Sequence, residues 1–172
     1  MGAMAHPLED VIRNAEPYLF IGDSSEDRFP GFSYANAAKK GQRVYYFDLG
    51  GLTRSRGPVK GGVVYAKAED IPDDRTDLAV LWVKPRSARR AVELAHELGT
   101  KRVWFSFQTG HPSAVERARE LGMEVVEIGR CPVFYMDGQQ LPCKIHTAIV
   151  KLTGAYSKPP QLDAKAKRRE LL

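Results

Sequence analysis

A short apolar run that ends in glycine and leads into a helix constrains the fold of this chain more than any other stretch. Residues 18–34 are Y-L-F-I-G-D-S-S-E-D-R-F-P-G-F-S-Y. The apolar residues before Gly22 are typical of a strand, the small polar residues after it of a tight loop, and the alanine-rich segment stopped by Gly41 of a helix. The first such turn of an open α/β sheet directs backbone N–H groups and a helix N-terminus at one point, which suits a phosphate.

This turn departs from the dinucleotide fingerprint G-x-G-x-x-G, because Ser24 and Asp27 occupy the positions of its second and third glycines. A strand that ends in glycine before a helix is also common as simple fold punctuation. We therefore predict a nucleotide-type ligand over residues 22–28, with ordinary fold punctuation as the alternative.

Strand and helix patterns alternate along the chain. β-Branched and aromatic runs alternate with segments whose apolar residues recur at helical spacing. The alternation predicts an α/β fold with a doubly wound, mainly parallel, Rossmann-like sheet in three layers. The predicted strands are residues 18–22, 43–47, 63–65, 78–83, 102–107 and 124–128, and the predicted helices lie near residues 7–15, 30–40, 87–98, 113–121 and 142–153.

Two helix starts and one helix face are predicted in more detail. Ser87 is expected to cap one helix, and Ser113 with Glu116 matches a capping box for the next. The helical spacing near residue 149 predicts that the last segment packs as a helix, with a strand as the alternative. The apolar residues that define that spacing are Ile145, Ala148, Ile149 and Leu152.

Length and composition exclude several classes of protein. With 172 residues, the chain fits one domain with modest tails. Its apolar runs are far shorter than the roughly 20 residues that span a bilayer, so we expect a cytoplasmic protein with no membrane partner. Two cysteines and four scattered histidines fit neither a disulfide framework nor a metal site.

The net charge of +5 is uneven. From residue 155 onward five basic and two acidic residues predict a solvated, mobile tail, and nucleic acid is an unlikely partner. The loop at residues 52–62 carries Arg54, Arg56 and Lys60, which are either solvated or near a ligand phosphate. If the strand of residues 78–83 lies beside the first strand, the tips near residues 22 and 83 flank one crevice, where such sheets bind ligands.

Six short segments in a fixed order carry a family resemblance. Together they resemble the CoA-binding domain family, small stand-alone proteins similar to the N-terminal domain of the succinyl-CoA synthetase alpha subunit. The segments are Gly22-Asp23-Ser24 with Arg28, the strand end at 47–51, V-V-Y-A-K-A-E-D-I-P at 63–72, W-V-K-P at 82–85, W-F-S-F-Q-T-G at 104–110 and G-R-C-P at 129–132.

The resemblance implies binding of CoA or an acyl-CoA, with the ADP part over Ser24 and Ser25. Its phosphates would gain charged hydrogen bonds from cations such as Arg28 and Lys84. The resemblance also implies three regions: an extension with a short helix (1–16), a Rossmann-like CoA-binding domain (17–136), and a helix with a basic mobile tail (137–172). The implied site comprises Gly22, Asp23, Ser24, Ser25, Arg28, Leu49, Gly50, Lys84, Pro85, Gln108 and Thr109.

Two departures from the family pattern keep an alternative open. The family places asparagine or a similar residue and then proline after the second strand, where this chain has Asp48 and Leu49. An acidic residue there is what an NAD(P)-binding, dehydrogenase-like protein uses for the ribose hydroxyls. Pro30 also replaces a helix-initial serine, although proline suits the start of a helix. A second alternative is an interaction module, with a protein partner or as a homodimer, whose crevice is vestigial.

No catalytic constellation is evident in the sequence. About 36 residues remain after residue 136, too few for a second domain with a phosphorylated histidine such as succinyl-CoA synthetase uses. His111 is predicted to be a loop residue and Cys131 an inert thiol, with a mixed disulfide to CoA as the less favoured option. We therefore expect a non-enzymatic binding protein.

Overall fold

A five-stranded parallel sheet forms the centre of the protein. The computed structural model describes residues 7–54, 61–72 and 75–156, and every structural statement here concerns those residues. The strand order is β2-β1-β3-β4-β5, with all neighbours parallel, which confirms the predicted doubly wound, Rossmann-like α/β fold. The strands are β1 (Tyr18–Gly22), β2 (Val44–Asp48), β3 (Leu78–Trp82), β4 (Arg102–Phe105) and β5 (Glu124–Ile128).

Helices cover both faces of this sheet and complete three layers. They are α1 (Pro7–Asn14), α2 (Gly31–Lys39), α3 (Pro85–Glu97), α4 (Pro112–Glu120) and α5 (Leu141–Thr153), with short 3₁₀ turns at Ser24–Glu26, Ala68–Asp70 and Pro132–Tyr135. Residues of α3 and α4 share one core cluster with the sheet, including Val92 and Val115. Residues of α1 and α2, including Ile12 and Ala37, share the cluster on the opposite face.

Two continuous apolar runs of the sequence form β1 and β3, two of the three inner strands of the sheet. All five residues of β1 are buried, and residues 78–81 of β3 are fully buried. A strand covered by helices on both faces needs apolar side chains at successive positions, which is why these segments lack alternation. β3 is the middle strand of the sheet, as predicted, and pairs directly with β1.

The predicted strand at residues 63–65 is wrong. Tyr65 joins the edge of the sheet at one point: its N–H donates to the Tyr46 carbonyl at 2.8 Å, and its carbonyl accepts from the Asp48 N–H at 2.9 Å. Val63 makes a separate antiparallel bridge with Arg54. The segment runs beside β2 for one residue only, so no ladder forms.

Both predicted helix starts differ from the structure. α3 begins at Pro85, so Ser87 lies inside its first turn instead of capping it. α4 begins at Pro112 and its cap is His111, whose ring nitrogen accepts a hydrogen bond from the Ser113 N–H at 3.3 Å. In both helices the proline sets the start, because its fixed φ suits a first turn and its missing N–H needs no acceptor.

The last segment forms the predicted helix, but the apolar residues used to predict it face outward. Val150 is buried in α5, whereas Ile145, Ile149 and Leu152 are more than half exposed. α5 packs on the turn at Pro132–Tyr135 through the face that carries Cys143 and Val150. The helical spacing of its apolar residues therefore marks its outer surface, not a buried face.

Tyr156, the last residue described, packs against the residues that follow β5. The Tyr156 hydroxyl accepts a hydrogen bond from the Cys131 N–H at 2.9 Å, and the Arg130 guanidinium lies 5.6 Å from the centre of its ring. The predicted mobile tail from residue 157 onward, and the loop cations Arg56 and Lys60, lie outside the described residues. Among the residues described, none of the helices has the length and apolar character to cross a membrane.

Replacing Tyr18 by Phe tests the coupling of the sheet to α1. The fully buried Tyr18 hydroxyl donates to the Ile12 carbonyl, and burial raises the pKa of this phenol above its ordinary value. The raised pKa stabilises the folded protein fully at pH values below about 10. This contribution to the free energy of unfolding is lost as pH rises further, because the Tyr18 phenol then ionises readily only in the unfolded chain.

We expect Tyr18→Phe to lower the free energy of unfolding by about 1 kcal/mol at pH 7, from the lost hydrogen bond. Above about pH 10 the free energy of unfolding should fall less steeply with pH in the variant than in wild type. The difference in slope should correspond to about one proton. Urea unfolding at pH 7, 10 and 11 measures both effects. Tyr65→Phe is the control, because the Tyr65 hydroxyl makes no hydrogen bond within the described chain. An unchanged alkaline slope would contradict the assignment.

Candidate functional site

Three strand tips meet at the carboxyl end of β1. Gly22 is paired with Asp48 of β2 on one side and with Trp82 of β3 on the other. The sequence-based expectation that the tips near residues 22 and 83 are neighbours is therefore confirmed. Since β4 follows β3 in the sheet, the loops after β1, β3 and β4 share one edge, where parallel α/β sheets bind their ligands.

The loop after β1 is a closed turn. The Asp23 N–H donates to the Arg28 carbonyl at 2.8 Å, and the Arg28 N–H donates back to the Asp23 carbonyl at 2.9 Å. The Asp23 carboxylate accepts from the Ser25 N–H at 3.1 Å and the Ser25 hydroxyl at 2.5 Å. Asp27 closes the turn in the left-handed region with φ 55°. Aspartate adopts this conformation more readily than most residues, so no glycine is required there.

Asp48 ties this loop to the end of β2. Its Oδ1 accepts from the Ser24 N–H at 2.8 Å, and its Oδ2 accepts from the Ser24 hydroxyl at 2.6 Å and the Leu52 N–H at 2.8 Å. The residue is 1% exposed. A buried carboxylate is stable only when hydrogen bonds satisfy its oxygens, and these three bonds do so.

Glycine is required at two positions around the loop by close packing. A Cβ on Gly50 would lie 2.5 Å from both the Ser24 hydroxyl oxygen and the Ser25 nitrogen. A Cβ on Gly22 would lie 2.7 Å from Pro30 Cδ and 2.8 Å from the Arg28 carbonyl oxygen. Both distances are too short for any side chain, so these glycines let the tips of β1 and β2 approach the loop.

The end of β3 meets the same loop through α3. Lys84 precedes the helix and Pro85 begins it. The Ser87 hydroxyl donates to Glu26 Oε2 at 3.3 Å and is 3.4 Å from Asp23 Oδ2, and Arg86 forms an ion pair with Glu26. A carboxylate thus already occupies the positive end of the α3 dipole. Sequence reasoning missed Glu26, because its partners are about 60 residues away in the chain.

The end of β4 contributes a strained residue. Gln108 has φ 60°, a conformation that costs a non-glycine residue about 1 kcal/mol or more, and such strain concentrates at functional sites. Its Oε1 accepts from Arg28 Nη2 at 3.4 Å. Because β3 lies between β1 and β4, this contact extends across the tip of β3.

Two buried hydroxyls also lie beyond β4. Ser106 and Thr109 are at most 1% exposed, and neither hydroxyl has a hydrogen-bond partner within the described chain. Thr109 was among the predicted site residues, and Ser106 was not. Buried hydroxyls without a partner are uncommon in folded proteins. At this tip, Ser106 and Thr109 can each form a further hydrogen bond, for example to water.

The predicted site residues all lie at the carboxyl ends of the strands, but they form two groups. Leu49 and Gly50 lie at the end of β2, where the Leu49 N–H donates to the Gly22 carbonyl at 2.9 Å. The other group lies at the carboxyl ends of β1, β3 and β4. It comprises Gly22, Asp23, Ser24, Ser25, Arg28, Lys84, Pro85, Gln108 and Thr109.

His111 and Cys131, the two side chains considered for chemistry, are both engaged in the structure. His111 caps α4, with its Nδ1 2.7 Å from the Ser113 hydroxyl oxygen. Cys131 is 8% exposed, and burial raises the pKa of its thiol to about 11. No cluster of potential metal ligands occurs within residues 7–54, 61–72 and 75–156. The arrangement provides polar contacts and cations for a ligand.

Comparison with known proteins decides the family. The model of the CoA-binding domain family matches residues 17–137, about 70% of the chain and all of the predicted site. The chain belongs to the CoA-binding domain family. Membership agrees with the resemblance found in the sequence and with the parallel sheet described above. No curated protein matches the chain.

Solved structures of similar fold support this membership. A hypothetical protein from Pyrococcus horikoshii OT3 has a TM-score of 0.63 and 25% identity, over 78% of this chain and 90% of that one. Prb, a protein redesigned for binding, has a TM-score of 0.61 and 26% identity, over 81% of this chain and 96% of that one. A Thermus thermophilus protein, with 17% identity and a TM-score of 0.56 over 72% of this chain and 90% of that one, shares the fold.

Removing the Asp48 side chain should destabilise the whole domain. In Asp48→Ala the part-buried N–H groups of Ser24 and Leu52 lose their acceptor, and we expect a loss of about 2 kcal/mol of unfolding free energy. Asp48→Asn, which keeps one carbonyl acceptor, should lose less. Urea unfolding measures both, with the exposed Asp70→Ala within about 0.5 kcal/mol of wild type as control. A wild-type stability for Asp48→Ala would contradict the role assigned here.

The burial of Cys131 predicts a slow thiol. With a pKa of about 11, roughly one thiol in a thousand is ionised at pH 8. In a Cys143→Ser variant we expect Ellman's reagent and CoA disulfide to react with Cys131 at least a hundred-fold more slowly than with an unfolded control in guanidinium. Reaction at the rate of the unfolded control would restore Cys131 as a candidate for a mixed disulfide.

Proposed function

We propose that this protein binds CoA or an acyl-CoA in the crevice over β1, β3 and β4 and catalyses no reaction on it. The observation that carries the proposal is the pairing of Gly22 with Trp82, which puts the loop of residues 23–28 beside Lys84. In a member of the CoA-binding domain family, this is the crevice where the fold binds its ligands. The binding domain is proposed to be residues 17–136, with 1–16 and 137–172 as appended segments.

The distribution of charge supports a diphosphate at this place. Two of the three carboxylates of the loop are already engaged, Asp23 with Ser25 and Glu26 with Arg86, and the third, that of Asp27, is exposed to solvent. The side-chain amine of Lys84 forms no ion pair or hydrogen bond within the described chain, and only the Lys84 carbonyl is engaged, by the Ser87 N–H. An anionic group in the crevice therefore gains an available cation, and Arg28 lies on the same edge, as its contact to Gln108 shows.

Helix α2 offers the phosphates a further binding element. It begins at Gly31 with Pro30 as its cap, and no side chain of the cap accepts a hydrogen bond from its first turn. Its first N–H groups have no acceptor inside the helix and carry the positive end of its dipole. The corresponding end of α3 has Glu26, so the diphosphate is proposed to lie at α2 and over Ser24 and Ser25.

The bonding of Asp48 removes the main argument for NAD(P). A dehydrogenase-like site needs this carboxylate to accept hydrogen bonds from the ribose hydroxyls of the ligand. Here its two oxygens accept three hydrogen bonds from Ser24 and Leu52, and the residue is 1% exposed. Binding a ribose would break the contacts that hold the loop.

The absence of a reaction is proposed from the two side chains considered as a base or a nucleophile. His111 is used as a helix cap, and the Cys131 thiol is kept protonated by burial. A general base or nucleophile needs to be free to reach the substrate in the required protonation state. Neither side chain meets both conditions, which leaves binding as the activity.

Calorimetric titration with CoA, acetyl-CoA, NAD and NADP tests the proposal. We expect CoA to bind most tightly, and Lys84→Ala to weaken it about ten- to a hundred-fold, since a charged hydrogen bond to phosphate contributes about 1.5 to 3 kcal/mol. Lys67→Ala removes the same charge from an exposed position and should leave the affinity unchanged.

Other outcomes separate the alternatives. Tighter binding of NAD or NADP than of CoA would establish the dehydrogenase-like hypothesis. No heat with any of the four ligands would favour an interaction module with a vestigial crevice. Unchanged CoA affinity in Lys84→Ala would remove this lysine from the site.

A further inference from the structure

Helix α5 presents a continuous apolar surface to solvent. Leu141, Ile145, Ile149 and Leu152 are 71%, 56%, 54% and 87% exposed, and Ala148 between them is exposed as well. They are most of the large hydrophobic side chains that are exposed in the described chain. A contiguous exposed apolar patch on a globular protein usually marks a surface that is covered in the functional state.

We call this patch the α5 stripe; it consists of Leu141, Ile145, Ala148, Ile149 and Leu152. The geometry of the helix separates it from a basic edge. At 100° per residue the α5 stripe fills an arc of about 100° opposite the inward face around Val150. Lys144 and Lys151, both exposed, lie together along one side of the stripe. The helix carries no acidic residue.

The charge of the protein is concentrated in the same region. Residues 141–172 contain seven Lys or Arg and two Asp or Glu, whereas residues 1–140 contain nineteen of each. The entire net charge of +5 therefore belongs to α5 and the sequence that directly follows it. An apolar face bordered by cations matches a partner that is apolar inside and anionic at its surface.

We propose that α5 binds to the surface of an anionic lipid bilayer, with the α5 stripe among the acyl chains and Lys144 and Lys151 at the phosphate headgroups. The thirteen residues of α5 are too few to span a bilayer but long enough to lie in its interface. The expectation from the sequence that no membrane partner exists rested on spanning length, which an interfacial helix does not need.

Other occupants fit the α5 stripe less well. Nucleic acid would use the lysines but offers nothing to the aliphatic residues. A second copy of the chain, packed antiparallel through α5, would bring the two lysine edges together. A helix of about 20 Å also buries less area than a stable protein interface of roughly 800 Å² per partner needs.

Vesicle flotation with the full chain tests the proposal. We expect binding to phosphatidylcholine vesicles with 30% phosphatidylglycerol, little binding to pure phosphatidylcholine, and loss of binding in 0.5 M NaCl. Ile149→Gln should weaken binding about ten-fold. Val63→Gln, an aliphatic residue of similar exposure outside α5, is the matched control and should bind like wild type.

The basic edge is tested in the same way. Lys144→Gln with Lys151→Gln should weaken binding by about five-fold per lysine, and Lys67→Gln with Lys101→Gln, which removes equal charge elsewhere, should have a far smaller effect. Circular dichroism checks that each variant is folded. All of these positions are exposed, so the fold tolerates the changes.

Two results would overturn the proposal. Wild-type protein that fails to float with anionic vesicles would exclude a lipid surface and leave an acidic protein as the partner of the stripe. Sedimentation that shows a dimer in wild type and a monomer in Ile149→Gln would make the stripe a contact between two copies. Because neither experiment uses CoA, the outcome is independent of the proposed CoA site.

Discussion

The buried carboxylate of Asp48 is the interaction on which the candidate site depends. An unpaired carboxylate in this position would cost several kcal/mol, so the Ser24 backbone, the Ser24 hydroxyl and the Leu52 backbone must all reach it. Those bonds set the distance between the tip of β2 and the loop after β1. At that distance only glycine fits at position 50. The paired backbone hydrogen bonds of Asp23 and Arg28 then close the loop that this anchor holds.

Two of the three acidic side chains in the loop after β1 are already engaged by other groups of the protein. The loop contains Asp23, Glu26 and Asp27, which on sequence alone would repel a phosphate. Hydrogen bonds from Ser25 and the ion pair with Arg86 engage the first two. The side-chain amine of Lys84 lies beside the loop and has no hydrogen-bond or ion-pair partner in the described chain. The same composition can thus form a binding site for an anion because the arrangement of charges, and not their sum, sets the local potential.

The net positive charge of the chain lies outside the sequence that forms the candidate site. Residues 1–140 are formally neutral, whereas the sequence from residue 141 onward carries the net positive charge and α5 carries the exposed apolar stripe. The spacing of apolar residues in α5 is that of an ordinary amphipathic helix. Such a pattern shows that one face is apolar but not which way that face is turned, because orientation depends on what the opposite face packs against.

The sequence by itself determined the fold class, the buried strands β1 and β3 and the strand tips that lie next to each other, because apolar periodicity and glycine punctuation are local properties. It also showed the family, through short segments such as W-V-K-P at the end of β3. Only the tertiary structure decided that Asp48 anchors the loop, that Glu26 contacts the first turn of α3, that residues 63–65 form no strand and that the apolar stripe of α5 faces outward. Each of these features depends on contacts between residues that are far apart in the chain. The neighbouring residues in the sequence do not reveal whether such a contact forms or how stable it is.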